Sequence, residues 1–147
     1  MCGINGLVLE TKNNLIEKRI ISMNNSIAHR GPDSDGFFIN NNVALGHRRL
    51  SIIDVRDISN QPMTSENDRF TIVFNGEIYN FQEIKKHLNY NFISLSDTEV
   101  ILASISLKGI DWFLKIANGM FSFAVYDKIE DSILLVRDRL GIKPLFY

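Results

Sequence analysis

Short apolar runs separated by polar turns dominate the chain. Runs of this kind predict β-strands at CGINGLVL, GFFIN, NVALGHRRLSIID, RFTIVFNGEIYN, GMFSFAVYD and SILLVRDR. Turns are expected at Asn40–Asn42 and at DKIED, and the closing segment GIKPLFY also has the apolar pattern of a strand. The turn-forming residues of HRGPDSDG predict a loop before the second strand. The pattern therefore predicts a protein rich in short strands.

Four segments have the patterns of helices. The first, NLIEKRIISMNNSIAH, repeats its apolar residues at helical spacing. NFQEIKKHL opens with Asn80, a candidate N-cap, and has Glu83 where a capping box places its acidic residue. SDTEVILASISLKG is expected to begin at Ser96 or Asp97 and to end at Gly109, and IDWFLKIA is a shorter helix. Helices and strands are both expected, in an order that does not by itself identify a fold.

Composition and charge exclude several classes of protein. The hydrophobic share of 45% and the charged share of 22% are those of a globular domain. Sixteen basic and seventeen acidic residues give a net charge of −1, which offers no basic surface for nucleic acid or an anionic membrane. The chain shows neither a secretory leader nor the roughly 18 apolar residues that span a bilayer. We therefore expect a cytoplasmic protein, and the abrupt apolar ending leads us to expect an incomplete domain of a longer chain.

The only cysteine, Cys2, directly follows the initiator methionine. A lone cysteine is most often a small buried residue, and it cannot form an internal disulfide. Its position favours a second interpretation, because removal of Met1 would leave a thiol and a free α-amine on one residue. An α-amine has a pKa of about 7.7–8, so it can act as the base for its own side chain. Cys2 is therefore a candidate nucleophile that requires no histidine partner.

Eight ordered segments resemble the N-terminal glutaminase domain of glutamine-hydrolysing asparagine synthetases. They are MCGI, HRGPDSDG, GHRRLSIID, QPM, FNGEIYN, SDTEVIL, GMFSFAVYD and RDRLGIKPLFY. These domains are class II glutamine amidotransferases of the N-terminal-nucleophile hydrolase fold. The resemblance implies an α+β fold, a four-layer α/β/β/α sandwich with two mainly antiparallel sheets between helices. It covers residues 1–147 as one glutaminase domain, and no segment resembles the synthetase domain.

The resemblance also assigns the charged parts of a glutamine site. Arg49 matches the arginine that binds the substrate α-carboxylate, a task that suits the bidentate guanidinium. Arg48 would face the other way in a strand and is expected at the surface. Asp97 matches the aspartate that pairs with the α-ammonium, although aspartate also commonly caps helices. Glu77 is implied at the amino end of the substrate, and the other implied pocket residues are Leu50, Ser51, Ile52 and Ile53.

Asn75 and Gly76 match the family's oxyanion hole. The side-chain amide of Asn75 and the backbone N–H of Gly76 would donate to the developing oxyanion. From the residues alone, Asn-Gly between apolar runs is the strongest short signal of a β-hairpin, and we predict a hairpin turn here. The two interpretations are compatible, because a tight turn can present a backbone N–H group.

The remaining polar residues receive no catalytic step. The resemblance implies that His29 and Arg30 lie in a loop over the substrate. A histidine base is the rival to the α-amine, but no pattern orients any of the three candidates, which are His29, His47 and His87. HRGPDSDG fails the spacing of a calcium loop, so no metal site is predicted.

The implied reaction is hydrolysis of L-glutamine to glutamate and ammonia through a γ-glutamyl thioester on Cys2, with no metal or cofactor. In the family, the ammonia passes to a C-terminal synthetase domain that uses ATP and magnesium to convert aspartate to asparagine. We expect that domain in a parent chain or a split partner, and a homodimer of the full-length parent. Three alternatives remain open. The first is another amidotransferase branch, such as amidophosphoribosyltransferase, glucosamine-6-phosphate synthase, or surface-polysaccharide and secondary-metabolite enzymes. The others are a non-catalytic remnant and a binding module without a substrate.

Overall fold

Two antiparallel sheets form the centre of the protein. The computed structural model describes residues 2–11 and 14–147. The first sheet has the strand order β1-β3-β2, and the second has the order β4-β5-β6-β7. The strands are β1 (Gly3–Val8), β2 (Ser34–Asn40), β3 (Val43–Arg49), β4 (Met63–Thr64), β5 (Phe70–Ile78), β6 (Gly119–Asp127) and β7 (Ser132–Arg137).

Helices flank the sheets. Helix α3 begins and ends as predicted, because the Ser96 hydroxyl accepts the Glu99 N–H at 3.3 Å and Gly109 ends the helix with a φ of 84°. None of the helices in the described part of the chain is long and apolar enough to cross a membrane. The α-helices are α1 (Ile16–Ser26), α2 (Phe81–Lys86), α3 (Asp97–Lys108) and α4 (Ile110–Ile116), and short 3₁₀ helices cover Ala28–Arg30 and Asp57–Ser59.

Three hydrophobic clusters separate four layers. Ile16 and Ile20 of α1 pack on the first sheet through Ala44. A second cluster, which includes Leu45 and Val73, fills the space between the two sheets. The largest cluster packs the second sheet against α2, α3 and α4. The order of layers is helix, sheet, sheet, helix, which confirms the predicted α+β sandwich.

Asn75 and Gly76 lie inside a strand, so the predicted hairpin turn is wrong. β5 runs without interruption through both residues, and they pair with Ser122 and Phe121 of β6. The apolar residues on both sides of Asn-Gly are buried in one sheet. Pairing with a strand more than forty residues away therefore outweighs the local preference of Asn-Gly for a turn.

Other local predictions need smaller corrections. β2 begins at Ser34, inside the segment predicted as a loop, β3 ends at Arg49, and GIKPLFY forms no strand. Asn80 stands at the N-cap of α2, but its side chain makes no capping bond. Its amide instead donates to the carbonyl of Ile116 at 2.8 Å and accepts the N–H of Asn118 at 2.9 Å. The Asn80 side chain therefore joins α2 to the end of α4.

Candidate active site

A cleft of about 110 Å³ lies where the end of β3, the middle of β5 and the start of α3 meet. The predicted residues that line it are Cys2, Arg49, Leu50, Ile52, Ile53, Asn75, Gly76, Glu77 and Asp97. Ser51 does not line it, and its N–H donates to the Asp33 carboxylate at 2.7 Å. His29 and Arg30 line a neighbouring cavity of about 430 Å³, which shares Cys2 and Asn75 with the cleft.

The sulfur of Cys2 rests against the backbone of Leu50. The N–H of Leu50 donates to Sγ at 3.4 Å, and the thiol donates to the Leu50 carbonyl at 3.8 Å. The antiparallel pairing of β1 with β3 sets Gly3 opposite Arg48, which brings the start of the chain to the loop after β3. The β1–β3 register therefore places the half-buried thiol in the cleft.

β5 presents backbone N–H groups to the cleft because β4 is so short. β4 contributes only two residue pairs, so further along one edge of β5 has no strand neighbour. On that edge the N–H of Phe74 donates to Gln61 Oε1 at 2.7 Å, and the N–H of Ile78 donates to Asp97 Oδ2 at 3.0 Å. Alternate residues of a strand direct their N–H groups to the same edge. The N–H of Gly76, between these two, therefore also points to the open edge.

Gly76 and Asn75 are suited to hold an oxyanion. A Cβ at position 76 would lie 2.3 Å from the Met120 carbonyl oxygen and 2.6 Å from the Phe121 Cα, so only glycine fits the close pairing with β6. The Asn75 side chain is 5% exposed, and its Oδ1 is buried without a hydrogen-bond partner among the described residues. An oxyanion accepts hydrogen bonds, so the group of this buried amide that can hold it is Nδ2, whereas Oδ1 can only receive a donor.

Arg49 and Asp97 are buried charges, and neither forms an ion pair within residues 2–11 and 14–147. Arg49 is 6% exposed, and its guanidinium donates to Asn60 Oδ1 at 2.7 Å and to the carbonyls of Arg56 and Asp54. Asp97 is 4% exposed. An unpaired buried charge is costly, so a ligand with both charges would stabilise the two residues. A free α-amino acid has such a pair of charges.

Burial raises the pKa of the Asp97 carboxyl to about 6. The N–H of Ile78 lowers this pKa, and the nearby Glu77 adds to the rise. Asp97 is therefore mainly ionised at neutral pH and can receive an ammonium group.

No histidine in the described part of the chain lines this cleft. His47 is fully buried between the sheets, with Nε2 3.2 Å from the carbonyl oxygen of Phe74. Burial lowers its pKa to about 4, so the ring is neutral near pH 7 and donates from Nε2. His47 connects β3 to β5, and His87 is exposed at the end of α2. His29 shares only the neighbouring cavity with Cys2, and among the described residues the Cys2 sulfur forms its hydrogen bonds with Leu50 and with no histidine.

Several cleft residues have no role in the sequence interpretation. Asp54 joins two walls of the cleft, because its carboxylate accepts the Leu95 N–H at 2.8 Å and the Arg56 guanidinium at 2.7 Å. The Arg56 guanidinium holds the pKa of Asp54 well below its usual range. Gln61 falls in the QPM segment, but its spacing from other residues does not indicate its contacts. The full set of unassigned lining residues is Asp54, Ser59, Gln61, Phe74, Ser96, Thr98, Met120 and Lys143.

Comparison with known proteins agrees with this geometry. The sequence model of the family described as "Glutamine amidotransferase domain" matches residues 1–147. The chain belongs to this family. The match confirms the resemblance inferred from the eight sequence segments.

Relatives of this amidotransferase domain are named as glutamine-hydrolysing asparagine synthetases. It is 42% identical over 165 residues to the putative asparagine synthetase 2 of Methanocaldococcus jannaschii, covering 100% of this chain and 32% of that protein. It is 41% identical over 150 residues to asparagine synthetase B of Escherichia coli, and the match covers 99% of this chain and 26% of that protein. The chain thus spans a third or less of the length of these relatives.

The structure of glutamine phosphoribosylpyrophosphate amidotransferase from B. subtilis has the same fold. The superposition has a TM-score of 0.59 at 22% identity, and it covers 72% of this chain and 25% of that one. The amidotransferase domain thus shares the fold of an enzyme whose sequence has diverged widely.

Proposed function

We propose that this domain hydrolyses L-glutamine to glutamate and ammonia, as the glutaminase half of an asparagine synthetase. The observation that carries the proposal is the cleft itself, where the Cys2 sulfur, the open-edge N–H of Gly76 and two unpaired opposite charges face one space. Glutamine matches each of these groups. Its α-carboxylate pairs with Arg49, its α-ammonium pairs with Asp97, and its side-chain amide lies between Cys2 and Gly76.

The proposed reaction forms and breaks one covalent bond to sulfur. The α-amine of Cys2 takes the thiol proton, and the thiolate attacks the side-chain amide carbon of glutamine. Gly76 N–H and the Asn75 amide donate to the oxyanion. The C–N bond then breaks, and the protonated α-amine gives its proton to the leaving ammonia. Water hydrolyses the remaining γ-glutamyl thioester to glutamate.

This scheme requires a free amine on Cys2, and hence removal of Met1, which lies outside the described residues. The step uses water and groups of this chain alone. In the proposal, ATP and magnesium belong to a synthetase portion of a longer protein or of a split partner. The names and lengths of the relatives support that portion and asparagine as the final product. Within the residues that the structure describes, no group of three or more His, Cys, Asp or Glu side chains could hold a metal ion.

The proposal is tested by the intact mass of the protein before and after reaction with 6-diazo-5-oxo-L-norleucine, an electrophilic glutamine analogue. We expect a chain without Met1, one adduct that maps to Cys2, and glutamate production from glutamine. The Cys2→Ala variant is the matched control, and it should fold normally yet form no adduct and no glutamate. A folded chain that begins at Cys2 but forms neither would refute the proposal.

The acceptor of the ammonia needs a separate assay. The protein with its synthetase portion is supplied with glutamine, aspartate, ATP and magnesium, and asparagine is measured. If glutamate forms without asparagine, the glutaminase proposal stands and the ammonia has another acceptor.

A further inference from the structure

A buried glutamine, Gln61, touches both ends of the cleft. Its side chain is 7% exposed. Oε1 accepts the N–H of Phe74 at 2.7 Å, and Nε2 donates to Thr98 Oγ1 at 3.2 Å. Phe74 directly precedes Asn75 on β5, and Thr98 directly follows Asp97 on α3. One side chain therefore connects the strand of the proposed oxyanion hole to the helix of the proposed ammonium site.

On β5, Gln61 takes the place of a missing strand. The pairing with β4 ends before Phe74, whose backbone is buried. Gln61 binds its N–H and His47 lies 3.2 Å from its carbonyl oxygen, so side chains hold both backbone polar groups of this residue. Further along the same edge, beyond Gly76, the carboxylate of Asp97 accepts the N–H of Ile78. Gln61 and Asp97 thus fix the edge of β5 on either side of Gly76.

On α3, the amide of Gln61 sets the position of the first turn. Thr98 is 3% exposed, so water has little access to replace Gln61 as the hydrogen-bond partner of its hydroxyl. Loss of a buried hydrogen-bond partner leaves the other group unsatisfied and lets the local structure shift. A shift of Thr98 moves Asp97, which is its neighbour in the chain. The Gln61–Thr98 bond therefore holds in place the residue next to the buried carboxylate, whose own oxygen accepts the N–H of Ile78.

We propose that Gln61 is a positioning residue with two separable roles, aligning the oxyanion donors through Oε1 and Asp97 through Nε2. The inference rests on the proposed glutaminase function and deepens it. Loss of the Nε2 bond should weaken binding of the substrate α-ammonium and raise the KM for glutamine. Loss of the Oε1 bond should misplace the donor that acts on the transition state and lower kcat.

Two substitutions separate these roles. Thr98→Val removes the acceptor for Nε2 and keeps the shape of the side chain at the cleft wall, and we expect a rise of about tenfold in KM with kcat within about twofold of the parent. Gln61→Met removes both bonds, and we expect the same rise in KM together with a fall of at least about tenfold in kcat. Thr98→Ser keeps the hydroxyl and should restore the KM. Gln82→Met, on the exposed face of α2, is the matched control and should behave as the parent.

The assay separates positioning from folding. kcat is expressed per Cys2 that reacts with 6-diazo-5-oxo-L-norleucine, and the thermal midpoint of each variant is measured alongside. A Thr98→Val variant with the parent KM overturns the inference. So does a Gln61→Met variant whose kcat per reactive Cys2 equals that of the parent. A parent that makes no glutamate and no adduct overturns the proposed function and the inference with it, so the two failures are distinct.

Discussion

At Asn75 the fold leaves a buried amide oxygen without a partner in the described part of the chain. The substitution breaks no hydrogen bond of this oxygen and removes the Nδ2 donor, so Asn75→Ala should affect the oxyanion more than the fold. We expect kcat to fall by about 10²–10³-fold, equivalent to about 2.7–4 kcal/mol of transition-state stabilisation, with little change in KM. Steady-state glutamate production measures this. Asn118→Ala, at an exposed position, is the control, and an unchanged kcat in Asn75→Ala would contradict the assigned role.

In the proposed function, the carboxyl of Asp97 makes glutamine binding depend on pH. Its pKa is raised to about 6, and it must be ionised to pair with an ammonium group. We expect the KM for glutamine to rise as pH falls through about 6, because the protonated carboxyl no longer attracts the substrate. Bound ammonium favours the ionised form, so kcat at saturating glutamine should depend less on this group.

The measurement is the KM for glutamine from about pH 5 to pH 7, a window around the pKa. Asp97→Asn should show a high KM that this range of pH no longer changes. Glu77→Gln should move the inflection to lower pH, because Glu77 contributes to the raised pKa. A parent KM that is constant across the range would rule out this role for Asp97.

Among the elements, β5 shows what the sequence can and cannot predict. The alternation of apolar residues located β5, and the family resemblance assigned Asn75 and Gly76. The hairpin prediction failed because Asn-Gly indicates only the local preference of the backbone for a turn. The strand is instead set by pairing of β5 with β6, which lies far away in the sequence. The same limit applies to Gln61 and Asp54. Their partners come from other elements, and no spacing in the sequence indicates such contacts.

The close approach of β5 and β6 makes a prediction about stability. In Gly76→Ala the new methyl group would meet the Met120 carbonyl oxygen and the backbone of Phe121. We expect destabilisation by about 1–3 kcal/mol, because strands at this spacing must move apart to admit it. Urea unfolding, with Asn118→Ala as the control, measures the change. A Gly76→Ala variant as stable as the parent would mean that the strands are not paired this closely.

For the whole molecule, His47 makes stability depend on pH. The ring connects the two sheets and has a folded-state pKa of about 4, below the value of 6.5 for a free histidine. The neutral ring therefore favours the folded state above about pH 6.5, and this contribution is lost as pH falls toward 4. The full loss is on the order of 3 kcal/mol.

Asp97 acts in the opposite direction over part of this range. Its folded-state pKa is raised from 3.8 to about 6, so its contribution to stability is present below 3.8 and is lost as pH rises through about 6. The Asp97→Asn variant removes this opposing effect. In that background, the free energy of unfolding should fall steadily from about pH 6.5 to pH 4. The same variant with His47→Gln should show a flatter profile, and an equally steep one would contradict the assignment.

The cleft draws on residues that are far apart in the chain, and this sets an order of events during synthesis on the ribosome. The thiol at position 2 emerges before its contact at Leu50, which lies 48 residues later in the chain. The charge at Asp97 and the wall at Lys143 follow later still. Until Leu50 is also free to fold, a nascent chain thus carries a thiol that lacks this contact. It gains the ability to select a substrate only when the last of these segments is free to fold.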